Sequence, residues 1–292
     1  MKQVFLFFFG FLFFFLSGNV FSQDLDVLLN AETKPTINYT SATFKASRII
    51  SGHSVQQMKK NQLDFRISHR FGTLNEGAYG LWGLDNSNIH FSLEYGVTNW
   101  LMLGLGRGSL NKIYDGFAKF RLLRQSTGAK TMPVSMSYLT TLEIKSQKND
   151  YNPDYFSSKL TFVNQILIAR KFNDKFSFQL TPSWVHRNLV ETELDLNDIF
   201  AIGAGARYKV SKRMSVNAEY YYKIDPNAKY LEPRTYNSAS IGIDLETGGH
   251  VFQIMLSNSI GMREGMFIPH TTDSWNDGGI HLGFNISRVF TL

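Results

Sequence analysis

His90 and Ser92 are the residues whose types and spacing could support nucleophilic catalysis. In a β-strand, residues two apart share a face, so the imidazole at position 90 could activate the hydroxyl at position 92. Phe91 would then lie on the opposite face. A His-x-Ser triplet also arises easily by chance, and a catalytic role needs a reacting group within reach. We therefore predict no catalytic residue.

Metal chemistry has no clear sequence support. The histidines are dispersed, with no H-x-x-x-H pair and no carboxylate cluster at ligand spacing. The chain contains no cysteine, which excludes disulfides and thiolate ligands. We therefore predict no metal site and no cofactor. The seven histidines are His53, His69, His90, His186, His250, His270 and His281.

Charged residues recur at alternate positions in several segments, where one strand face would carry them all. A water-filled interior lined by an excess of cations concentrates anions and favours their passage. Ion pairs across the interior, or a chain segment inside it, would fill the same space instead, and both arrangements stay open. The predicted lumen-lining residues are Arg66, Arg70, Glu94, Lys119, Arg121, Glu143, Arg207, Glu219 and Asp244.

Strands are needed to position these side chains, and the clearest strand pattern lies at residues 278–292. Ile280, Leu282 and Phe284 alternate with polar or small residues, which indicates a strand with one apolar face. The stretch is about as long as a tilted strand needs to cross a bilayer. Phe290 stands two residues before the end of the chain. This pattern is typical of the closing strand of an outer-membrane β-barrel.

Eleven further segments alternate in the same way, and the connections between them support one architecture. Short turns at 96–99, 125–129, 171–175, 211–213 and 247–249 alternate with longer connections at 72–88, 108–115, 145–158, 189–198, 224–238 and 258–278. We predict an all-β, transmembrane, antiparallel up-and-down β-barrel of about 12 strands over residues 62–292, with both ends periplasmic. The eleven segments are 63–71, 89–95, 100–107, 116–123, 134–144, 159–169, 176–188, 199–210, 216–223, 239–245 and 251–257.

The residues before the barrel divide into two parts. Residues 1–23 combine Lys2, an apolar run and a small residue before Gln23, which predicts a secretory signal peptide. Residues 24–61 are expected to form an arm that is either periplasmic or lumen-filling, with a short helix at its start and a strand at residues 43–50. A flexible leader is the alternative for this arm.

The connection 258–278 is unusually apolar for an exposed loop, since it contains Met262, Met266, Phe267, Ile268 and Trp275. Three arrangements are compatible with this composition. The loop could fold into the barrel mouth as a constriction, offer a surface to a partner, or pack against neighbouring loops.

Several runs resemble an uncharacterised, porin-like family of Gram-negative outer-membrane β-barrel proteins. These runs are residues 43–45, 52–55, 63–72, 248–253 and 283–290. The resemblance covers nearly the whole chain after the signal peptide. It implies a β-barrel in the outer membrane, in contact with outer-membrane lipid. It implies no particular activity.

Function is therefore predicted from the lumen face. The leading hypothesis is passive passage of small polar or anionic solutes. The alternative is a non-conducting barrel that anchors or assists a periplasmic partner through the arm. The third hypothesis is a lipid-modifying enzyme, because outer-membrane phospholipases are also twelve-stranded and use a His-x-Ser pair. The net charge of +6 is not gathered in blocks, so no nucleic-acid partner is expected.

Overall fold

The computed structural model describes residues 36–147 and 155–292. The predicted signal peptide and the short helix expected after residue 24 lie outside the described residues. Twelve strands of the described part form a closed antiparallel barrel, which confirms the predicted fold class. No helix within the described ranges is long and apolar enough to cross a membrane.

Each predicted barrel strand is present, with bounds shifted by a few residues. In chain order the strands are β1 (Ile37–Tyr39), β2 (Gln62–Thr73), β3 (Ser87–Gly96), β4 (Leu101–Gly108), β5 (Ile113–Leu123), β6 (Ser126–Gly128), β7 (Ser135–Lys145), β8 (Leu160–Lys171), β9 (Phe176–Arg187), β10 (Asp198–Lys209), β11 (Met214–Ile224), β12 (Ser238–Thr247), β13 (His250–Ser257) and β14 (His281–Thr291). β1 and β6 form a separate two-stranded sheet, and the other strands form the barrel. β14 pairs with β2 and closes the barrel, with Ile286 opposite Ile67.

Helical structure in the described residues is confined to single turns in the connections. One α-helical turn spans Glu264–Phe267. The 3-10 turns are Leu74–Glu76, Leu81–Gly83, Leu110–Lys112, Phe156–Lys159 and Trp275–Asp277.

The two faces of the barrel wall differ in the way a membrane requires. Along β2, Asp64, Arg66 and Ser68 are buried, whereas Phe65 on the other parity is exposed. Apolar side chains such as Leu105 cover the outer surface of the other strands as well. Because side chains alternate along a strand, an outer apolar band and an inner polar lining follow from one sequence pattern.

The predicted alternation of short and long connections is wrong in two places. β5 begins at Ile113, so the connection 109–112 after β4 has only four residues. Gly116 had suggested a later start, but Ile113 and Tyr114 already alternate between buried and exposed. The connection 124–134 after β5 has eleven residues, because β6 lies within it and pairs with β1.

The strand predicted at residues 43–50 is also wrong. These residues form bends, and Arg48 makes an isolated antiparallel bridge with His53 around a tight turn in which Ile49 N–H donates to the carbonyl of Gly52. The segment has no neighbouring strand to pair with. Side chains of the barrel wall take up its backbone groups instead, which removes the need for a ladder.

Candidate functional site: the barrel lumen

Two chain segments fill the lumen from opposite ends. We call residues 43–58 the inner arm and residues 258–280 the inner loop. The inner arm is buried almost throughout, between a start next to β1 and a return to β2. Both of its ends therefore lie at the end of the barrel where β2 begins and β14 finishes, which we call the turn end. The inner loop connects β13 to β14 at the opposite, loop end.

Cations of the wall hold the inner arm through its oxygen atoms. Lys119 Nζ donates to the carbonyls of Ser47, Ser54 and Gln56 at 3.3, 3.0 and 3.0 Å. Arg66 donates to the Ser47 hydroxyl at 2.9 Å and also to Asp64 at 3.1 Å. The wall therefore binds the arm backbone with charge-assisted hydrogen bonds, which are stronger than neutral ones.

Carboxylates of the wall bind the donors of the same segment. Glu219 accepts hydrogen bonds from the backbone N–H groups of Ser51 and Gly52 at 2.7 and 3.1 Å. Glu94 accepts from the Ser47 hydroxyl and lies 3.8 Å from Arg48. Cations of the wall thus bind carbonyl oxygens of this buried segment, and carboxylates of the wall bind its N–H groups.

Neutral amide side chains complete this set. Gln179 accepts from Val55 N–H at 2.8 Å and donates to the His53 carbonyl at 2.8 Å. Gln253 donates to the Ile49 carbonyl at 2.8 Å. These residues were absent from the predicted lining, which considered only charged types. Their inward parity on the predicted strands was the signal that could have identified them.

A small apolar cluster holds the arm together. Phe44, Ile49, Ile50 and Val55 are buried with only two wall residues, which are Ala169 and Met255. This cluster therefore consists mostly of arm residues, while Met58 of the arm packs on the wall residues Met102, Phe117 and Leu139.

The inner loop is attached to the wall by its own charged side chain. Arg263 Nη1 lies 3.0 Å from Asp115, and Arg263 Nε lies 4.0 Å from Glu143. Glu143 also accepts a hydrogen bond from the backbone N–H of Gly265 at 3.0 Å. Asp115 was placed in a connection by the sequence analysis, because the start of β5 was predicted too late.

The loop also inserts two apolar side chains into the lumen. Phe267 and Ile268 are almost fully buried, and the rings of Phe267 and Tyr221 pack edge to face with centroids 4.9 Å apart. Of the three arrangements left open for this loop, the structure shows the inward one. The wall residues in this cluster are Val163, Val185, Ile199, Ala201 and Tyr221, from four adjacent strands.

The inner arm and the inner loop contact each other through one carboxylate. Glu264 accepts from the His53 backbone N–H at 3.1 Å and pairs with Arg48 Nη1 at 3.5 Å. Both side chains are buried. A movement of either segment therefore removes a partner from the other, because a buried charge needs its counter-charge.

Two histidines of these segments are held in the neutral form. Burial, and then the charges of Arg48 and Lys119, hold the pKa of His53 well below its ordinary value. Its ring packs edge to face on Phe117 with centroids 4.5 Å apart, and neither ring nitrogen has a hydrogen-bond partner among the described residues. Burial and Arg187 lower the pKa of His270 to about 4.

Most of the predicted lining residues are buried, although they do not border open space. Asp244 accepts from Gln253 at 2.8 Å, and Arg207 donates to Ser215 at 3.1 Å and to the Ala42 carbonyl at 3.2 Å. Arg121 is only half-buried and donates to the Asn99 carbonyl at 2.6 Å, at the turn end. The buried members of the predicted set are Arg66, Arg70, Glu94, Lys119, Glu143, Arg207, Glu219 and Asp244.

The His90 and Ser92 side chains are not hydrogen-bonded to each other. Both side chains are buried, and Phe91 between them is exposed on the outer face. His90 Nε2 lies 2.9 Å from Asp115, but Ser92 Oγ has no hydrogen-bond partner among the described residues. A serine nucleophile requires a hydrogen bond to its base. The described residues also contain no group of histidine and acidic side chains that could hold a metal ion.

Solved structures of outer-membrane barrels share this architecture at low sequence identity. An outer membrane channel from Pseudomonas putida F1 is 11% identical, with a TM-score of 0.50, over 80% of this chain and 97% of the other. The KdgM porin is 9% identical, with a TM-score of 0.46, over 79% and 99% of the two chains. Outer membrane phospholipase A from Escherichia coli is 12% identical, with a TM-score of 0.44, over 84% and 98%.

The channel from Pseudomonas putida F1 supports the fold alone, and no curated protein matches this chain in sequence. A match to a protein family covers most of the sequence. Residues 44–290 match a family described as a membrane bound beta barrel domain, and this range covers all but the first residue of the inner arm, all but the last residue of the twelve barrel strands, and the whole inner loop. The chain therefore belongs to that family of membrane-bound β-barrel domains.

Proposed function

We propose that the protein is a gated channel of the Gram-negative outer membrane, through which small polar solutes pass when the inner arm leaves the lumen. In the closed state the inner arm fills the turn end and the inner loop narrows the loop end. The outer apolar band contacts the lipid, and the turn end faces the periplasm, as the predicted signal peptide and the short connections favour.

One observation carries this proposal: the barrel wall does not fill its own interior. Many buried wall residues are small and polar, including Ser92, Ser137, Thr181, Ser240 and Ser287. The remaining space is occupied by two segments that only non-covalent contacts hold in the lumen, since the chain has no cysteine. A barrel that was only a scaffold could be filled by large wall side chains, as small barrels are.

Arm release would expose Arg66, Arg70, Lys119 and Glu219 to water, and these residues would line the open path. The expected preference for anions depended on an excess of cations. Among the described residues, the buried charged side chains comprise eight cations and seven carboxylates, and Arg48 of the arm is one of the cations. Arm release therefore removes the excess, so the proposed solutes are polar rather than specifically anionic.

The proposal is tested by single-channel conductance of the refolded mature protein in a planar bilayer. We expect brief openings of the full chain and steady current after deletion of residues 24–61. A synthetic peptide with the sequence of residues 43–58, added from the turn end, should block the deleted variant. A peptide of the same composition in scrambled order is the matched control and should not block.

Silence of both proteins, with the deletion variant shown to be folded by its heat-modifiable migration, would overturn the channel. That result would favour the alternative of a non-conducting barrel that anchors a periplasmic partner. Release of fatty acid from phospholipid vesicles that disappears in His90→Ala would instead support the enzyme, against the geometry of Ser92.

A further inference from the structure

We infer that the open channel is selective for small cations, because arm release leaves more carboxylates than cations in the part of the lumen between the balanced charges at its two ends. This inference rests on the proposed function and names its class of solute. It differs from the anion preference that the sequence predicts.

Three buried carboxylates lose partners when the inner arm leaves, and the partly exposed Glu246 loses Lys45 as well. Glu219 loses the backbone N–H groups of Ser51 and Gly52. Glu94 loses the Ser47 hydroxyl and the guanidinium of Arg48. Glu264 of the inner loop loses Arg48 as well, and with it the His53 N–H group. These three side chains come from two wall strands and the loop, so they face the vacated volume from different sides.

The cations that the arm leaves behind are fewer. Lys119 loses three backbone carbonyls, and Arg70 loses the Ser51 hydroxyl at 3.0 Å. Arg66 and Arg263 keep carboxylate partners, Asp64 at 3.1 Å and Asp115 at 3.0 Å. Only two cations therefore become available to a passing ion, against three carboxylates.

The other buried charges do not change this balance. Toward the loop end, Arg187 pairs with Asp195 at 3.4 Å and Lys223 pairs with Asp225 at 3.6 Å. Toward the turn end, Arg207 loses the Ala42 carbonyl next to the arm, but it stays near Asp244, because both contact the Ser215 hydroxyl.

Arg187, Lys223, Arg207 and Asp244 are left out of the remaining count, because neighbouring charges balance them. The wall and the inner loop then supply six buried carboxylates and four buried cations. The carboxylates are Asp64, Glu94, Asp115, Glu143, Glu219 and Glu264, and the cations are Arg66, Arg70, Lys119 and Arg263. Carboxylates in water are ionised at pH 7. Acidic side chains lining a pore favour cations, and the field within a low-dielectric wall concentrates them.

The test measures the reversal potential of the full chain in a KCl gradient at pH 7.4. The docked arm is destabilised by Ile49→Asn and Val55→Asn. These substitutions replace two buried apolar side chains by polar, uncharged ones and leave every wall charge in place. We expect a potassium to chloride permeability ratio above one. Adding Glu94→Gln should lower this ratio toward one, and adding Lys119→Gln, the matched control of opposite sign, should raise it.

Each result separates the two proposals. A steady current that prefers chloride would overturn the cation inference and leave the channel standing. A ratio that is unchanged by both Glu94→Gln and Lys119→Gln would also overturn it, because the path would then avoid the charges on which it depends. Absence of current from the full chain with the destabilised arm and from the variant lacking residues 24–61 would overturn the channel itself, and the inference with it.

Discussion

The inner arm and the inner loop fill the same lumen, but the wall holds them by different physical means. The arm contacts the wall mainly through its own backbone groups, which Lys119, Glu219 and Gln179 bind. The loop contacts the wall mainly through side chains, with Phe267 inserted among apolar residues of four strands and Arg263 beside Asp115. The loop thus buries its apolar side chains among wall residues, whereas the main apolar cluster of the arm consists mostly of arm residues.

Because of this difference, we expect the two segments to differ in mobility. Backbone groups that leave a polar wall can exchange their hydrogen bonds for bonds to water, which offsets much of the loss. Apolar side chains that leave a tight cluster lose their burial, which water does not replace. We therefore expect the arm to be the part that leaves the lumen, and the loop to remain as a constriction.

The largest expected effect comes from the apolar anchor of the loop. Phe267→Ala should lower the free energy of unfolding by about 3–5 kcal/mol, as for other large buried aromatic residues. Phe44→Ala in the arm should have a clearly smaller effect on the same quantity, because its cluster includes few wall residues. Urea titrations of both refolded variants measure the difference, and equal losses would contradict the distinction between the two segments.

A smaller effect is expected from the wall carboxylate that binds the arm. Glu219→Ala leaves the buried N–H groups of Ser51 and Gly52 without an acceptor, which costs about 1–3 kcal/mol. Amide hydrogen exchange of residues 43–58 should accelerate by about 5- to 150-fold, the range that corresponds to this loss of free energy. Glu143→Ala is the matched control: it should accelerate exchange at Gly265 more than exchange within the arm.

Lowering the pH should weaken docking of the arm, and His53 should contribute to this loss. Burial and Arg48 depress the pKa of His53 in the docked arm, and in the released arm it returns to its ordinary value near 6.5. Docking is therefore fully stable above about pH 6.5, and it weakens as the pH falls, because the released arm binds the proton first. The loss is at most about 1.4 kcal/mol per pH unit, or about 2 kcal/mol at pH 5.

The measurement is the open probability of the channel between pH 7.5 and 5. His53→Gln should remove the part of the pH dependence that belongs to this side chain. An identical profile in the two proteins would show that His53 does not control docking.

The smallest effect concerns the contact between the two segments. In a double-mutant cycle, Arg48→Met and Glu264→Gln should show a coupling energy of about 1 kcal/mol for their buried ion pair. The readout is the free energy of arm docking, obtained from hydrogen exchange of residues 43–58. Additive effects of the two substitutions would mean that the arm and the loop move independently.

The sequence was sufficient to predict the strands of the barrel, but it did not predict the contacts inside the lumen. Alternation such as that around Phe65 and Arg66 predicted every barrel strand, because lipid and lumen select opposite residue types at neighbouring positions. The start of β5 was misplaced, since Gly116 interrupts the pattern that Ile113 had already begun. Glycine has a low strand propensity, so the start of β5 is decided by its pairing with β4.

The lumen was predicted only as a list of inward side chains. Lys119 and Glu219 were identified by parity, but their partners are backbone atoms of the arm, which have no sequence signature. Residues 43–50 looked like a strand because Phe44 and Ile49 have strand propensity. Burial among wall side chains that supply their hydrogen bonds replaced strand pairing, and local pattern cannot show a tertiary contact of this kind.

The claim that the inner arm is the gate is tested most directly by fixing the arm to the wall. A Cβ at Gly205 of β10 would lie 3.6 and 3.8 Å from the Cγ1 and Cγ2 atoms of Ile49. These atoms are bonded to the Ile49 Cβ, which places the two Cβ positions near the separation of about 3.5–4.5 Å that a disulfide needs. The chain has no cysteine, so Ile49→Cys with Gly205→Cys creates one possible pair.

Single-channel current of this full-length variant would be recorded at pH 5, first oxidised and then after addition of a reductant to the turn end. The account predicts silence in the oxidised state and openings after reduction, with each single-cysteine variant opening under both conditions. Current that persists through the disulfide-fixed protein, or silence that reduction does not relieve while the single-cysteine variants are also silent, would contradict the arm as the gate.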